Sequence, residues 1–312
     1  MRAARTLLSA ALMVTVACAA EPGSPGSARV EDPALAPLDS LAGNRYERHL
    51  AFFALEDENP LVVAWSFSAD TGADAIDREA RIWLARGGVW DAFFQSSWET
   101  PPVRAPWRII PHEGIRIIVA ERDALTALLY RSAGRELEMW LGDALAGWSS
   151  RPGELIQVRG ASTVLSENAV AGTLVDISFA RQASDATPGS WALLISEDIH
   201  VFLRGPFDAA ADSTFQGWGT LRARNFDWPD VVVTATRSRA FEPARRDVPV
   251  AWRFQSPDAD LTGRIEAMST HMEAGEGPGP QLPVIAISEV EGSITIETIP
   301  HRVRGILYHR TP

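Results

Sequence analysis

Residues 190–203 read SWALLISEDIHVFL: two apolar runs, Trp191–Ser196 and Ile199–Leu203, parted only by Glu197-Asp198. Runs this short, rich in β-branched and aromatic residues around a two-residue acidic tip, predict a β-hairpin. The same texture extends in both directions. Leu61-Val62-Val63-Ala64-Trp65-Ser66-Phe67 precedes it, with further runs at 80–84, 115–120, 125–130, 156–158 and 173–179. Beyond it come 231–236, 250–254, 284–287, 293–299 and 303–308, most bounded by Gly, Pro, Asp or Asn. More than a dozen short strands without alternating helices exclude a parallel α/β sheet and predict an all-β chain of barrels or sandwiches. Helical spacing is read at two places only: Arg135 to Leu145, and a short leading helix at Leu38 to Leu50.

Residues 181–190, RQASDATPGS, have the composition of a linker and divide the body in two. The segment ARIWLARGGVWDAFF before the division and SWALLISEDIHVFLRGPF after it are alike, a hint of duplication. The expected organisation is therefore a signal peptide at 1–17, a modified Cys and flexible tether at 18–39, and bodies at 40–182 and 183–312.

The first segment is an address. Arg2 and Arg5 precede the apolar run Leu7 to Ala17, too short to span a bilayer comfortably, and Cys18 is the one cysteine of the chain. A small residue followed by a lone Cys resembles the bacterial lipoprotein signal, with Thr15 in place of its usual Leu. That resemblance implies a lipidated Cys18, and Ala19 after it implies the outer membrane by similarity to enterobacterial lipoproteins. Ordinary cleavage nearby, for example after Ala20, would instead leave no cysteine and no anchor. Both alternatives imply export and no disulfide. The Pro-, Gly- and Ser-rich stretch Glu21 to Asp39 reads as a tether.

Composition removes whole classes of chemistry. The chain has 312 residues, a formal charge of -11 and 29 basic residues, every one of them arginine. Without lysine there is no Schiff base, no pyridoxal enzyme and no Walker P-loop. Net acidity argues against nucleic acid as a partner. The six histidines show no His-x-His or His-Glu-x-x-His spacing, so neither a metal nor another cofactor is expected. No Gly-x-Ser-x-Gly elbow occurs. The carboxylate pairs Glu197-Asp198 and Asp227/Asp230 fall at turn-like places, which leaves a glycosidase weakly supported.

SWALLISEDIHVFL, TFQGWGTL, RRDVPVAWRFQSPDADLTGRIEA and EGSITIETIPHRVRGILYHR follow one another between residues 190 and 310. In that order they resemble the C-terminal barrel of the hydroxyneurosporene synthase (CrtC/AttH) lipocalin-like family. Pro249-Val250-Ala251-Trp252, Glu291-Gly292 and Gly305-Ile306-Leu307-Tyr308 stand where that family has its Pro-Val-x-Trp, Glu-Gly and Gly-Tyr strands. The likeness covers about residues 172–310 and implies two lipocalin-like antiparallel β-barrels packed together. It also implies that Asp176 is the proton donor of a hydratase. Yet Asp176 is followed by Ile177 and Ser178 where hydratases carry His or Arg and then a polar group, and Ala64-Trp65-Ser66-Phe67 stands in place of their Trp-Trp-Tyr.

Asp176 shares a strand face with Ser178, opposite Val175, Ile177 and Phe179. As a catalyst it would protonate an isolated alkene from a desolvating pocket. As a structural group it would be a solvated carboxylate or a strap between barrels. Eleven tryptophans stand against three tyrosines. Trp65, Trp83, Trp191, Trp218 and Trp252 are the candidate lining of an apolar pocket, or else plain core. Arg302, Arg304 and Arg310 are either a solvated face or a contact for an acidic headgroup or partner protein.

The expected function is an exported, lipid-anchored protein that binds a hydrophobic small molecule, a lipid or terpenoid. It would be membrane-tethered, with an envelope transport partner implied by the family's common association with exporter-type permeases. The alternatives are a carotenoid 1,2-hydratase-like enzyme using Asp176, and a non-catalytic envelope module binding glycans or protein through exposed Trp.

Overall fold

Strands β1 Asn44–Phe53, β2 Leu61–Thr71, β3 Ile76–Arg86, β4 Val89–Thr100, β5 Ile115–Val119, β6 Leu125–Ser132, β7 Arg135–Trp148, β8 Leu155–Leu165 and β9 Asn168–Gln182 form one antiparallel sheet. Its order is β4-β3-β2-β1-β9-β8-β7-β6-β5: a meander whose two ends meet through the β1–β9 pair. The edges are β4 and β5, joined along the chain by residues 101–114. The second group is β10 Trp191–Ser196, β11 Ile199–Arg204, β12 Ser213–Leu221, β13 Arg224–Phe241, β14 Arg246–Gln255, β15 Leu261–Ala274, β16 Val284–Ile296 and β17 Ile299–Arg310. These eight close into a barrel through the β10–β17 pair. The computed structural model describes residues 43–54, 60–121, 124–148, 154–165, 167–182, 190–205, 213–222, 224–258 and 260–311, all within one compact unit, Asp32–Pro312. Cys18, the signal and tether segments, and residues 183–189 of the dividing linker lie outside the described residues.

Strands that are apolar without alternation are buried on both faces. In β10, Ala192 and Leu194 point into the closed barrel while Trp191, Leu193 and Ile195 pack against the first sheet. In β2, Val63, Trp65 and Phe67 fill the first sheet's concave interior while Val62 and Ala64 face the second barrel. Alternation returns where one face meets water. In β7, Leu137, Met139 and Leu141 are buried between Glu136, Glu138 and Trp140.

That last pattern corrects the helix expected over Arg135 to Leu145. Leu137, Trp140 and Leu141 have helical spacing among good helix formers, but the period-two set is what the sheet buries. The helix expected over Leu38 to Leu50 is corrected likewise. Residues 44–50 belong to β1, with Tyr46, Arg48, Leu50 and Phe52 on one face; residues 38–42 lie outside the described residues. The two similar segments do form hairpins, β3–β4 and β10–β11, but as the third and fourth strands of one body and the first and second of the other.

Gly292 and Gly305 have a steric reason. A Cβ on Gly305 would overlap the carbonyl oxygen of Leu193 across the closing β10–β17 pair, and one on Gly292 that of Arg264. Between the bodies, Glu273 of β15 accepts hydrogen bonds from Arg81 at 2.6 Å and the Trp83 indole at 2.8 Å, and Trp90 donates to Ser269 at 2.9 Å. Arg204 pairs with Glu154, and Arg310 reaches Glu47 at 3.2 Å.

Candidate functional site

The inner face of the first sheet is mainly apolar, with charged groups at Arg78 of β3 and on β1, β8 and β9. There Leu50 lies beside Asp176, and Asp176 beside Gln157, across three neighbouring strands. Two residues before Leu50, and so on the same face, Arg48 turns its guanidinium to Asp176. Its Nε donates to Oδ1 at 2.9 Å and its Nη2 to Oδ2 at 2.6 Å. Arg159 of β8 brings Nη1 to 4.0 Å from Asp176 Oδ2 while its Nε donates to the Gly142 carbonyl at 2.9 Å. Asp176 is thus neither solvated nor a strap between the bodies. Its carboxylate is 3% exposed and fork-bound inside the first sheet.

Above this pair, toward the β1 start, is a recess lined by Tyr46, Arg48, Phe67, Arg78, Trp98 and Trp107. Residues 101–114 form its other wall: Trp107 lies 5.9 Å from Tyr46, and His112 stacks on Trp98 at 4.0 Å. Arg78 of β3 ties that wall down. Its Nε donates to Thr100 Oγ1 at 2.9 Å and its Nη1 to the carbonyls of Pro106 and Arg108, each at 3.2 Å. Its Nη2 is buried with no hydrogen-bond partner among the described residues. Burial pushes the Arg78 pKa below its ordinary value. Free space inside the recess is about 20 Å³, room for one water-sized group.

A roomier recess of about 260 Å³ lies on the second barrel beside Val232, Thr234 and Arg253. Its one ionisable side chain, Arg253, is exposed, and its buried polar side chain, Ser256, accepts from the Leu261 N–H at 3.0 Å.

The five tryptophans singled out from the sequence are all buried and do not converge. Trp65 is in the first sheet's interior, 6.0 Å from Phe67, its indole N–H without a partner among the described residues. Trp252 fills the closed barrel. Trp83, Trp191 and Trp218 lie between the two bodies, with Trp191 stacked on Tyr308 at 5.9 Å. Arg302 and Arg304 are exposed, whereas Arg310 turns inward to Glu47.

The same inter-body layer holds His49, with its ring 4.8 Å from Tyr308 and 5.8 Å from Phe179. Burial pushes His49 down to about 4 and Tyr308 up to about 12. Burial also raises Glu273, but bonds from His271 and Trp83 and the charge of Arg81 hold it below the usual carboxylate range.

Sequence reasoning missed Arg48, Arg78 and Arg159. A signal was present, because Arg48 falls in phase with Tyr46, Leu50 and Phe52, and Arg78 with Ile76, Ala80 and Ile82. An arginine in phase with an apolar strand face must be buried, and therefore paired or waiting for a partner.

Several solved structures are similar to this chain. A protein of Nitrosomonas europaea assigned to AttH is 12% identical, with a TM-score of 0.59 over 94% of this chain and 99% of its own. Kievitone hydratase from Nectria haematococca is 12% identical, with a TM-score of 0.55 over 89% of this chain and 94% of its own. CghA with Sch210972 is 14% identical, with a TM-score of 0.55 over 91% of this chain and 94% of its own. Neither protein-family models nor curated proteins give a match. The resemblance read from the sequence to the lipocalin-like AttH and hydratase proteins therefore holds as a likeness of fold, and it extends through both bodies.

Proposed function

We propose that this chain is an exported, lipid-anchored, lipocalin-like protein that binds a hydrophobic small molecule of the lipid or terpenoid class in its first body. The carrying observation is the open side of the first body, since side chains fill both interiors. The second barrel is closed by hydrogen bonds and filled by side chains such as Phe215, Trp252, Phe254 and Ile265. The first sheet has free edges at β4 and β5, a wall of irregular chain over its interior, and a desolvated ionic anchor behind an aromatic recess. A few placed polar groups within an apolar, aromatic concavity are the usual form of a small-molecule site. With so little free space in the recess, binding requires residues 101–114 to move outward.

The test uses the full chain carrying Cys18→Ser, purified gently and analysed by native mass spectrometry and solvent extraction. A discrete apolar adduct released on denaturation supports the reading. A clean apo mass after exposure to membrane lipids and terpenoids overturns it.

A second reading, hydration of an isolated alkene with Asp176 as acid, draws support from the burial of that carboxylate behind the recess and from the hydratase among the similar folds. It requires Arg48 to release at least one Asp176 oxygen when substrate binds. Incubation with a terpenoid alkene in H₂¹⁸O would then yield a labelled alcohol, and Asp176→Asn would abolish it. The third reading, a glycan- or protein-binding module, draws nothing from the five candidate tryptophans, which are all buried; the exposed Trp140 of β7 is the ring it would use.

A further inference from the structure

Arg78 is the unusual group of the first body. It is 5% exposed, and its hydrogen bonds within the described residues go to neutral acceptors: the Thr100 hydroxyl and the carbonyls of Pro106 and Arg108. Other arginines drawn out of water, half-buried Arg45 and Arg48 and buried Arg204 of the second barrel, differ. Arg48 is matched by Asp176, Arg45 by Glu47 and Asp70, and Arg204 by Glu154. The adjacent Glu79 is no counter-ion for Arg78, because it sits on the other face of β3 and binds Arg81 at 2.6 Å. A guanidinium taken out of water with no opposite charge bound to it and one N–H unused among the described residues is costly to the fold. That cost is offset when an anion occupies the space it faces.

We propose that the recess between β1, β3 and residues 101–114 is an oxyanion site, in which Arg78 receives the carboxylate head of an amphipathic ligand. This rests on the reading of the first body as the home of an apolar ligand and names the ligand's class: a molecule with an apolar tail and an anionic head, not a neutral hydrocarbon. Arg78 Nη2–H, enclosed in the resting structure, donates to one carboxylate oxygen once residues 101–114 move outward. Arg48, on the same recess wall, is already neutralised by Asp176, and Glu47 and Glu79 in the lining are bound to Arg45 and Arg81, so the charge offered to the head is that of Arg78. Trp98 and Trp107, both half-buried, flank the recess, and Phe67 leads inward to Trp65, where the packed side chains must part to admit the tail. No covalent step is involved.

The experiment is calorimetric titration of the Cys18→Ser chain with decanoate, decanol and acetate below their aggregation limits. The expected result is that decanoate binds at least ten-fold more tightly than decanol. Arg78→Gln should bring the two within two-fold, and Arg78→Lys should retain part of the preference. Equal affinities of the wild type for decanoate and decanol overturn the oxyanion site while leaving the apolar-ligand reading standing. Acetate binding that Arg78→Gln abolishes, with no gain from the decanoate tail, keeps the site and overturns the apolar-ligand reading. Binding of none of the three overturns both. If Arg78→Gln does not fold, wild-type melting decides: a midpoint raised by decanoate and acetate but not by decanol supports the site, because ligands of the native state stabilise it. An unchanged midpoint overturns it.

Discussion

Arg48 reaches diagonally from β1 to β9 and donates to both carboxylate oxygens of Asp176, at 2.9 and 2.6 Å. The carboxylate the sequence offers as an acid is thus, in the resting protein, an acceptor with both oxygens engaged. Its first duty is to neutralise a guanidinium inside an apolar sheet, and any catalytic duty would have to be released from that pairing by the ligand.

Removing one partner should show this. Asp176→Asn is expected to cost about 2–4 kcal/mol of unfolding free energy, because it strands the Arg48 charge, and Arg48→Met should cost a similar amount. The double variant should cost clearly less than the sum of the two, since no charge of this pair remains buried. Urea unfolding of the three variants measures the coupling; strict additivity would deny the pair its structural role.

Acid should destabilise the protein at two buried histidines, His49 in the layer between the two bodies and His309 on the opposite face of β17 from Tyr308. Burial pushes His49 and His309 from 6.5 down to about 4. Glu47 opposes the shift at His49 while Arg45 and Arg310 reinforce it, and Arg246 reinforces it at His309. The unfolded chain therefore binds more protons than the native one between those values. The histidine contribution is complete above pH 6.5 and is lost as pH falls toward 4, by about 3 kcal/mol for each histidine. His49→Phe should flatten the slope of stability against pH in that window by roughly half. An unchanged slope would move the acid sensitivity elsewhere.

The strands were legible where their residues carried a local signal. Glu197-Asp198 marked a two-residue hairpin tip, and Pro249 to Trp252 and Gly305 to Tyr308 marked strands of a recognisable barrel. The gap between β4 and β5 was not legible, since an edge is a property of pairing across the sheet and not of any one segment. The site was legible only in Asp176. Its partner Arg48 is 128 positions away in sequence, and Arg78 gains its meaning from carbonyls 28 and 30 positions away. The tryptophans misled as a group because an indole on a doubly buried strand reads the same whether it faces a ligand, a barrel interior or a second barrel.

Gly305 should be intolerant of any side chain. Gly305→Ala sets a Cβ against the Leu193 carbonyl in the pair that closes the second barrel, and separating those strands should cost more than about 2 kcal/mol. Gly160→Ala on β8 is the control: its added Cβ meets nothing within 4 Å, so stability should change by less than about 0.5 kcal/mol. Thermal unfolding of both variants separates steric exclusion from a general penalty on strand substitution.

Ligand location can be read from two tryptophans. Trp98 is half-buried on the recess wall and stacks on His112, whereas Trp252 is 1% exposed within the closed barrel. If the first body holds the ligand, Trp98→Ala removes an apolar wall from the site, and affinity of the folded variant for decanoate should fall about ten-fold, alongside the stability lost with its core packing. Trp252→Phe shrinks a packed ring and should cost about 1–2 kcal/mol of stability with affinity unchanged. The reverse pattern, affinity falling with Trp252→Phe and holding with Trp98→Ala, would place the ligand in the second barrel, whose interior would then have to open around it. The Trp98 arm also discriminates within the first body. A loss confined to decanoate and decanol, with acetate binding preserved, assigns Trp98 to the tail and leaves the head to Arg78.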